Sequence, residues 1–297
     1  MSASSTFRRY SVRHQTTYKY SLPVSLSQHF MHLTPRSTAT QLVESTTLLT
    51  DPAPATWREA RDYFGNVTTL ASLDEEHFKT TITATSRVTV EPLKVSKPGD
   101  TPSWEAVIDA LHKDISSEAL FVRQFYYRSP RIQPGPELLE IAKRFFPPGT
   151  PVLQGACALM EHIFSTFTYD GTATDVDTPV DDVLTLKRGV CQDFAHLQIA
   201  CLRAVGLPAR YVSGYLLTHP PEGQERLQGA DASHAWLSVW IGEDGWVDLD
   251  PTNNVIVQDE HVTLAWGRDY GDVSPINGVT FGGGEHGVDV EVDVIPL

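Results

Sequence analysis

Cysteine is scarce, with three residues in 297, at no spacing that makes a disulfide framework or a zinc site. No run approaches 18 consecutive apolar residues, so no membrane-spanning helix and no membrane partner are expected. A basic excess is missing too. The formal net charge is −14, with +2 over residues 1–100 and −16 over residues 101–297. Acidic surface of that kind repels a phosphate backbone, so no nucleic-acid partner is expected. No GxxxxGK[ST], CxxC, HExxH or DxDxDG pattern occurs, and Gly282-Gly-Gly284 lacks the helix and Lys of a phosphate loop. The pairs Asp175/Asp177 and Asp181/Asp182 read as a solvated acidic loop, so neither metal nor cofactor is expected. The opening MSASSTFRRY leads into no apolar run, which reads as no secretory leader and a cytoplasmic location. What is present is 41% hydrophobic and 20% charged residues, enough for a core that needs no covalent or metal staples.

The texture divides the chain in two. Residues 1–95 read as a small sandwich-like β domain, with strands over Tyr10–Tyr20, Thr40–Thr50, Thr68–Leu73 and His77–Val90. Asp51-Pro-Ala-Pro54 and Phe64-Gly-Asn66 supply turns, and the Pro- and Lys-containing stretch Glu91–Pro102 reads as a linker. Residues 103–297 form the second domain. Its helical segments are Trp104–Leu111, Glu118–Tyr127, Pro136–Phe146 and Pro151–Phe167. In the last, Leu153, Cys157, Met160 and Phe164 share a face, which places Cys157 in the core. An acidic, turn-rich stretch over Tyr169–Asp182 precedes the apolar helix Cys191–Val205, which Gly206 and Pro208 stop. Strands follow over Ala209–Leu217, Ser233–Ile241 and Gly245–Leu249, with a final one through Val288–Val294. The fold class is α+β.

Chemistry concentrates at Gly189-Val-Cys191-Gln-Asp193, where a loop meets a helix. A thiol in a helix's first turn faces unpaired N–H groups and the positive end of the dipole, which favour the thiolate and can serve an oxyanion. Gly189 is expected to allow a tight turn before the helix. Cys201, seven residues after Phe194 on the same helix, reads as core. A thiolate nucleophile needs a His and a group to hold it. His196, about 140° around the helix from Cys191, points away. His234 shares a strand face with Trp236, Ser238 and Trp240, and Gly242-Glu-Asp-Gly245 turns the chain back into Trp246-Val-Asp-Leu-Asp250.

Register decides which carboxylate can reach His234. A two-residue loop puts every Asp on the opposite face, and an odd loop restores the match. If Trp240 pairs with Trp246, then Trp236 opposes Asp250 and His234 becomes its diagonal neighbour, about 7–8 Å away at Cα. Asp248 then opposes Ser238. Asp250 is therefore the expected orienter, with Asp248 the fallback.

Three segments together resemble the bacterial transglutaminase-like superfamily: Gly189-Val-Cys191-Gln-Asp-Phe-Ala-His196, Ala232-Ser-His234-Ala-Trp236 and Gly245-Trp-Val-Asp-Leu-Asp250-Pro-Thr-Asn253. His14-Gln-Thr-Thr-Tyr18-Lys-Tyr20, Leu33-Thr-Pro35-Arg36 and Asp62-Tyr-Phe64-Gly65-Asn66 are similar to the β domain that precedes this core in bacterial members. The resemblance implies a papain-like α+β core, with a Cys-bearing helix packed on an antiparallel sheet. It implies attack of Cys191 on a peptide or protein carboxamide, giving a thioester, with His234 moving the proton and Asp250 holding the ring. Water as second nucleophile makes a hydrolase. The alternatives are transfer of the acyl group to an amine, or a non-catalytic peptide-binding module. The family's second oxyanion donor does not carry over, since Thr185 stands six residues before Cys191 and no Trp lies between Trp104 and Cys191; Tyr169 and Gln192 are the candidates.

Overall fold

The computed structural model describes residues 7–218 and 233–297. The first six residues, on which the expectation of no leader partly rests, and Ala232 of the His234 motif lie outside the described residues. Among the described residues no helix is long and apolar enough to cross a membrane.

The N-terminal region is built around one long strand, β1 (Arg8–Met31), flanked by β2 (Gln41–Asp51), β3 (Thr56–Arg61), β4 (Val67–Leu73) and β5 (His77–Val90) in the order β2-β5-β1-β4-β3. β1 changes partner along its length. Arg8–Lys19 pairs with β5, Ser27–Met31 pairs with β4, and the register breaks between Lys19 and Val24. Pro23 sits in that break, where its missing N–H costs no ladder bond. The sheet curls there, and residues from its two halves, Met31 and Ala71 against Ile82 and Ala84, close a small core between them.

A helical stretch follows: α1 (Trp104–Lys113), α2 (Ser117–Arg123), α3 (Pro136–Lys143), α4 (Val152–Thr166), α5 (Val180–Leu186) and α6 (Cys191–Ala204). The inward face of α4 centres on Val152, Ala156, Leu159 and Ile163, one residue earlier than the spacing suggests. Cys157 is therefore half-buried at its margin and Phe164, expected on the core face, is exposed. α6 is buried along Gln192–Arg203, because it packs on a sheet on one side and on α3, α4 and α5 on the other.

That sheet is antiparallel, made of β8 (Ala209–Leu216), β9 (Ser233–Trp240), β10 (Trp246–Asp250), β11 (Val255–Ile256) and β12 (His261–Gly267) in the order β11-β10-β9-β8-β12. Two short parallel strands, β6 (Thr168–Tyr169) and β7 (Arg188–Gly189), tie the start of the acidic loop to the entry of α6. β13 (Ile276–Gly282) and β14 (His286–Pro296) leave this region and pair with β1. Val292 and Val294 from β14 join Tyr10, Val12 and the α6 residues in one continuous core.

Candidate active site

Cys191 is the first residue of α6 and is half-buried. The helix entry is held by Asp193, whose Oδ2 accepts from the Val190 N–H at 2.8 Å and from the Thr174 hydroxyl at 2.6 Å. A carboxylate in the first turn also suits the helix dipole. Gly189 is required for space and not for a special turn. A Cβ there would lie 2.6 Å from Asp193 Oδ2 and 2.9 Å from Asp193 Cβ, and the residue has no positive φ. Positive φ occurs instead at Gly242 (96°) and Gly245 (77°), the two glycines of the β9–β10 turn.

The loop between Trp240 and Trp246 has five residues, and the two tryptophans pair as the odd-loop register requires. Asp248 opposes Ser238. His234, at the open end of β9, brings Nε2 to 2.7 Å from Asp250 Oδ2. Nε2–H donates to the carboxylate, which leaves Nδ1 for the thiol. Burial works against a charged ring at His234, but the hydrogen bonds and charges of Asp250 and Cys191 prevail and lift its pKa to about 10. Structure thus brings together Cys191, His234 and Asp250.

Asp250 is fully buried yet well supplied with donors. Its Oδ2 accepts from His234, from His261 Nε2 at 3.0 Å and from Asn253 Nδ2 at 2.7 Å, while Oδ1 takes the backbone N–H groups of Thr252 and Asn253. Burial raises its pKa, and the hydrogen bonds and charges of the two imidazoles overcome this and hold it well below the usual carboxylate range. Asp248, on the same face, has other partners. Trp236 Nε1 donates to its Oδ2 at 2.8 Å and the Ser238 hydroxyl to its Oδ1.

His261 was not anticipated from sequence. It starts β12, and its ring packs 5.0 Å from Trp236 and 5.9 Å from His234. Gly214 in β8 makes room for this packing, since a Cβ there would meet the Trp236 ring at 2.5 Å. The polar–apolar alternation of His261–Gly267 was a usable strand signal, but its placement beside Asp250 depends on tertiary structure. Among the described residues, His234, Asp250 and His261 are the one group whose three potential metal-ligand atoms lie within 4.8 Å of one another. Both Nε2 atoms converge on a single carboxylate oxygen, an arrangement that shared hydrogen bonding already satisfies.

The oxyanion candidates differ. Gln192 is buried and its amide donates to the Val176 carbonyl at 3.1 Å, tying it to the acidic loop. Tyr169 is exposed and pairs with Gly189; burial and the charges of Cys191 and Asp193 raise its pKa, which places it within electrostatic reach of the thiol. In the acidic loop, Asp175 Oδ1 accepts from the Asp177 N–H and the Thr178 hydroxyl, and Asp177 pairs with Arg131 at 2.9 Å. His196 is buried away from the thiol and accepts from the Tyr270 N–H. Cys201 is buried, and burial pushes its thiol up to about 12, as it pushes Cys157 up to about 11.

Residues 140–251 match the transglutaminase-like superfamily, and residues 10–89 match the bacterial transglutaminase-like N-terminal region. An uncharacterized protein of Mycobacterium tuberculosis (strain H37Rv) is 40% identical over 97% of this chain and 93% of its own length. The chain belongs to the transglutaminase-like superfamily of enzymes. A second relative over nearly the whole chain is an uncharacterized protein of Mycobacterium leprae, 35% identical over 97% of this chain and 99% of its own. A protein-glutamine gamma-glutamyltransferase of Pseudomonas aeruginosa is 32% identical over 39% of this chain and 18% of its own. Among solved structures, a Cytophaga hutchinsonii protein described as a "putative cysteine protease" superposes with a TM-score of 0.80 over 99% of this chain and 92% of its own, at 22% identity. The mixed α+β architecture with a papain-like transglutaminase core is therefore shared across both regions.

Proposed function

We propose that the protein is a cysteine-dependent hydrolase of peptide or carboxamide bonds. The observation that carries this reading is His234, set between the thiol at the start of α6 and a buried carboxylate supplied with five donors. Cys191 sulfur attacks the carbonyl carbon while His234 Nδ1 holds the thiol proton. Collapse of the tetrahedral adduct breaks the C–N bond, and His234 gives that proton to the departing amine or ammonia. A thioester remains on Cys191. His234 then takes a proton from water as the oxygen attacks, and the thioester splits into a carboxylic acid and the thiol. Backbone N–H groups at the start of α6 serve the oxyanion, with Tyr169 or Gln192 as second donor. Asp250 holds the ring and balances the imidazolium.

A second reading is supported by the Pseudomonas relative named for gamma-glutamyl transfer, because an amine can take the place of water at the same thioester. The first test is mass spectrometry after brief iodoacetamide treatment between pH 5 and 9, on wild type and His234→Ala. Selective labelling of Cys191 near pH 6, lost or moved to higher pH in the variant, is the expected result, with Cys157 and Cys201 protected. Labelling only above about pH 8 in both proteins, as for an ordinary thiol, would overturn the reading. A peptide-carboxamide library with and without an added primary amine then separates hydrolysis from transfer.

A further inference from the structure

On the face of the five-stranded sheet turned toward the N-terminal region lies a cavity of about 410 Å³. Its walls come from both regions: Thr38–Gln41, Val90 and Leu93 on one side, Arg210, Trp246 and Trp266 on the other. Cys191 and His234 do not line it.

Arg210 is the unusual member. It is 7% exposed, its guanidinium carbon lies 3.7 Å from the Trp266 ring centre and 4.3 Å from that of Trp246, and burial pulls its pKa down to about 9. Buried guanidinium groups are ordinarily paired and hydrogen-bonded. Among the described residues this one has neither an ion pair within 4 Å nor a hydrogen bond, and its Nε is sealed from solvent without a partner. Asp248 is the carboxylate that acts on it through charge, but both Asp248 oxygens are taken by Trp236 and Ser238. Trp266 Nε1, in the same cavity, is likewise buried and unpartnered. Arg36 stacks on the same indole at 3.2 Å and adds a second positive charge.

We propose that this cavity is a binding site for a small monocarboxylate with an apolar body, held by Arg210. The chemistry selects that class. With indoles against its faces, the guanidinium offers its edge, and an edge of parallel N–H donors suits the two coplanar oxygens of a carboxylate. Asp244 and Asp248 also border the space, so a single negative charge is favoured over a dianion. Val90, Leu93, Val257 and the indoles provide apolar walls, and the volume is that of an ordinary small-ligand pocket. The ligand lies across the junction of the two regions. The proposal does not rest on the catalytic reading.

The test uses 3-phenylpropionate and hexanoate, their primary amides and inorganic phosphate, in calorimetric titrations and melting curves on the full chain. Both acids are expected to bind saturably and raise the melting temperature, with each amide weaker by about tenfold or more. Arg210→Met is expected to abolish acid binding. Val257→Trp, which fills the cavity and leaves Arg210 in place, should do the same, and Cys191→Ala should bind as wild type does. Equal affinity for acid and amide, or acid binding retained in Val257→Trp, would sink the assignment. So would the absence of saturable acid binding by the folded wild type up to about 10 mM, and tighter binding of phosphate than of either acid would replace the carboxylate by another anion. None of these outcomes touches the labelling of Cys191, so this proposal and the catalytic one fail separately.

Discussion

Asp248 and Asp250 stand two residues apart on one strand and point to the same side of the sheet, yet they serve different surroundings. Asp250 meets two imidazoles, an amide and two backbone N–H groups. Asp248 meets an indole and a hydroxyl, with a guanidinium further off. One step along the hairpin changes the neighbours from titratable groups beside the thiol to neutral donors beside the cavity. A carboxylate's role here is therefore set by what its cross-strand and diagonal neighbours are, and strand register chooses those neighbours.

Asp250→Ala should separate the two most strongly. It strands His234 and His261 without their shared acceptor, and turnover is expected to fall by about 10³–10⁴-fold, with a stability loss of about 3–5 kcal/mol. It should also flatten the pH dependence of stability. His234, lifted from 6.5 to about 10, contributes stability that is complete below 6.5 and is lost as pH rises through about 10. Asp250, depressed from 3.8, contributes stability present above that value and lost as pH falls further. Melting temperature against pH should therefore decline at both ends in wild type, and both limbs should become shallower in Asp250→Ala, where Cys191 still acts on His234 and the depressed carboxylate of Asp62 keeps part of the acid limb.

Asp248→Ala is expected to lower stability by about 2–4 kcal/mol, since it leaves the Trp236 and Ser238 donors buried and unpaired. It should keep both pH limbs and the low-pH labelling of Cys191. A loss of that labelling would mean that the two carboxylates act as one unit. The smallest effect is expected from His261→Phe, which removes one donor of five from Asp250. Stability should fall by about 1.5 kcal/mol, while the rate of Cys191 labelling changes by less than about threefold, because the remaining donors still hold the carboxylate toward His234. A drop as large as that of Asp250→Ala would make His261 an equal partner in positioning the carboxylate.

Much of the hairpin could be read in advance because its constraints are local. Parity of the five-residue loop over residues 241–245 sets which face Asp250 occupies, and the observed pairing of Trp240 with Trp246 is one of the registers that an odd loop allows. The helix start at Cys191 is similarly written in its neighbours. What escaped was long-range. β12 carries His261 to Asp250 only because the curled sheet and the side-chain-free Gly214 let Trp236 and the imidazole meet. Nothing in Val288–Val294 says that its alternation matches β1 rather than the sheet nearer in sequence. Arg210 looks like any strand arginine until two indoles, 36 and 56 residues away in the chain, close on it. On α4, the buried face takes in Leu153 and Met160 of the expected stripe but extends over Val152, Ala156, Leu159 and Ile163 and leaves Phe164 exposed, because a hydrophobic stripe does not mark how wide an arc its neighbours cover.

The pairing of β1 with β13 and β14 also has a consequence in time. Residues 8–31 are made well before their partners, 276–296. During synthesis, β1 can acquire β5 and β4 while its opposite edge stays open, a template for any other strand nearby, until the whole helical and five-stranded region has been produced. Completion of the first sheet thus waits on strands that lie beyond the whole helical and five-stranded region, and β1 is finished only after that region has been produced.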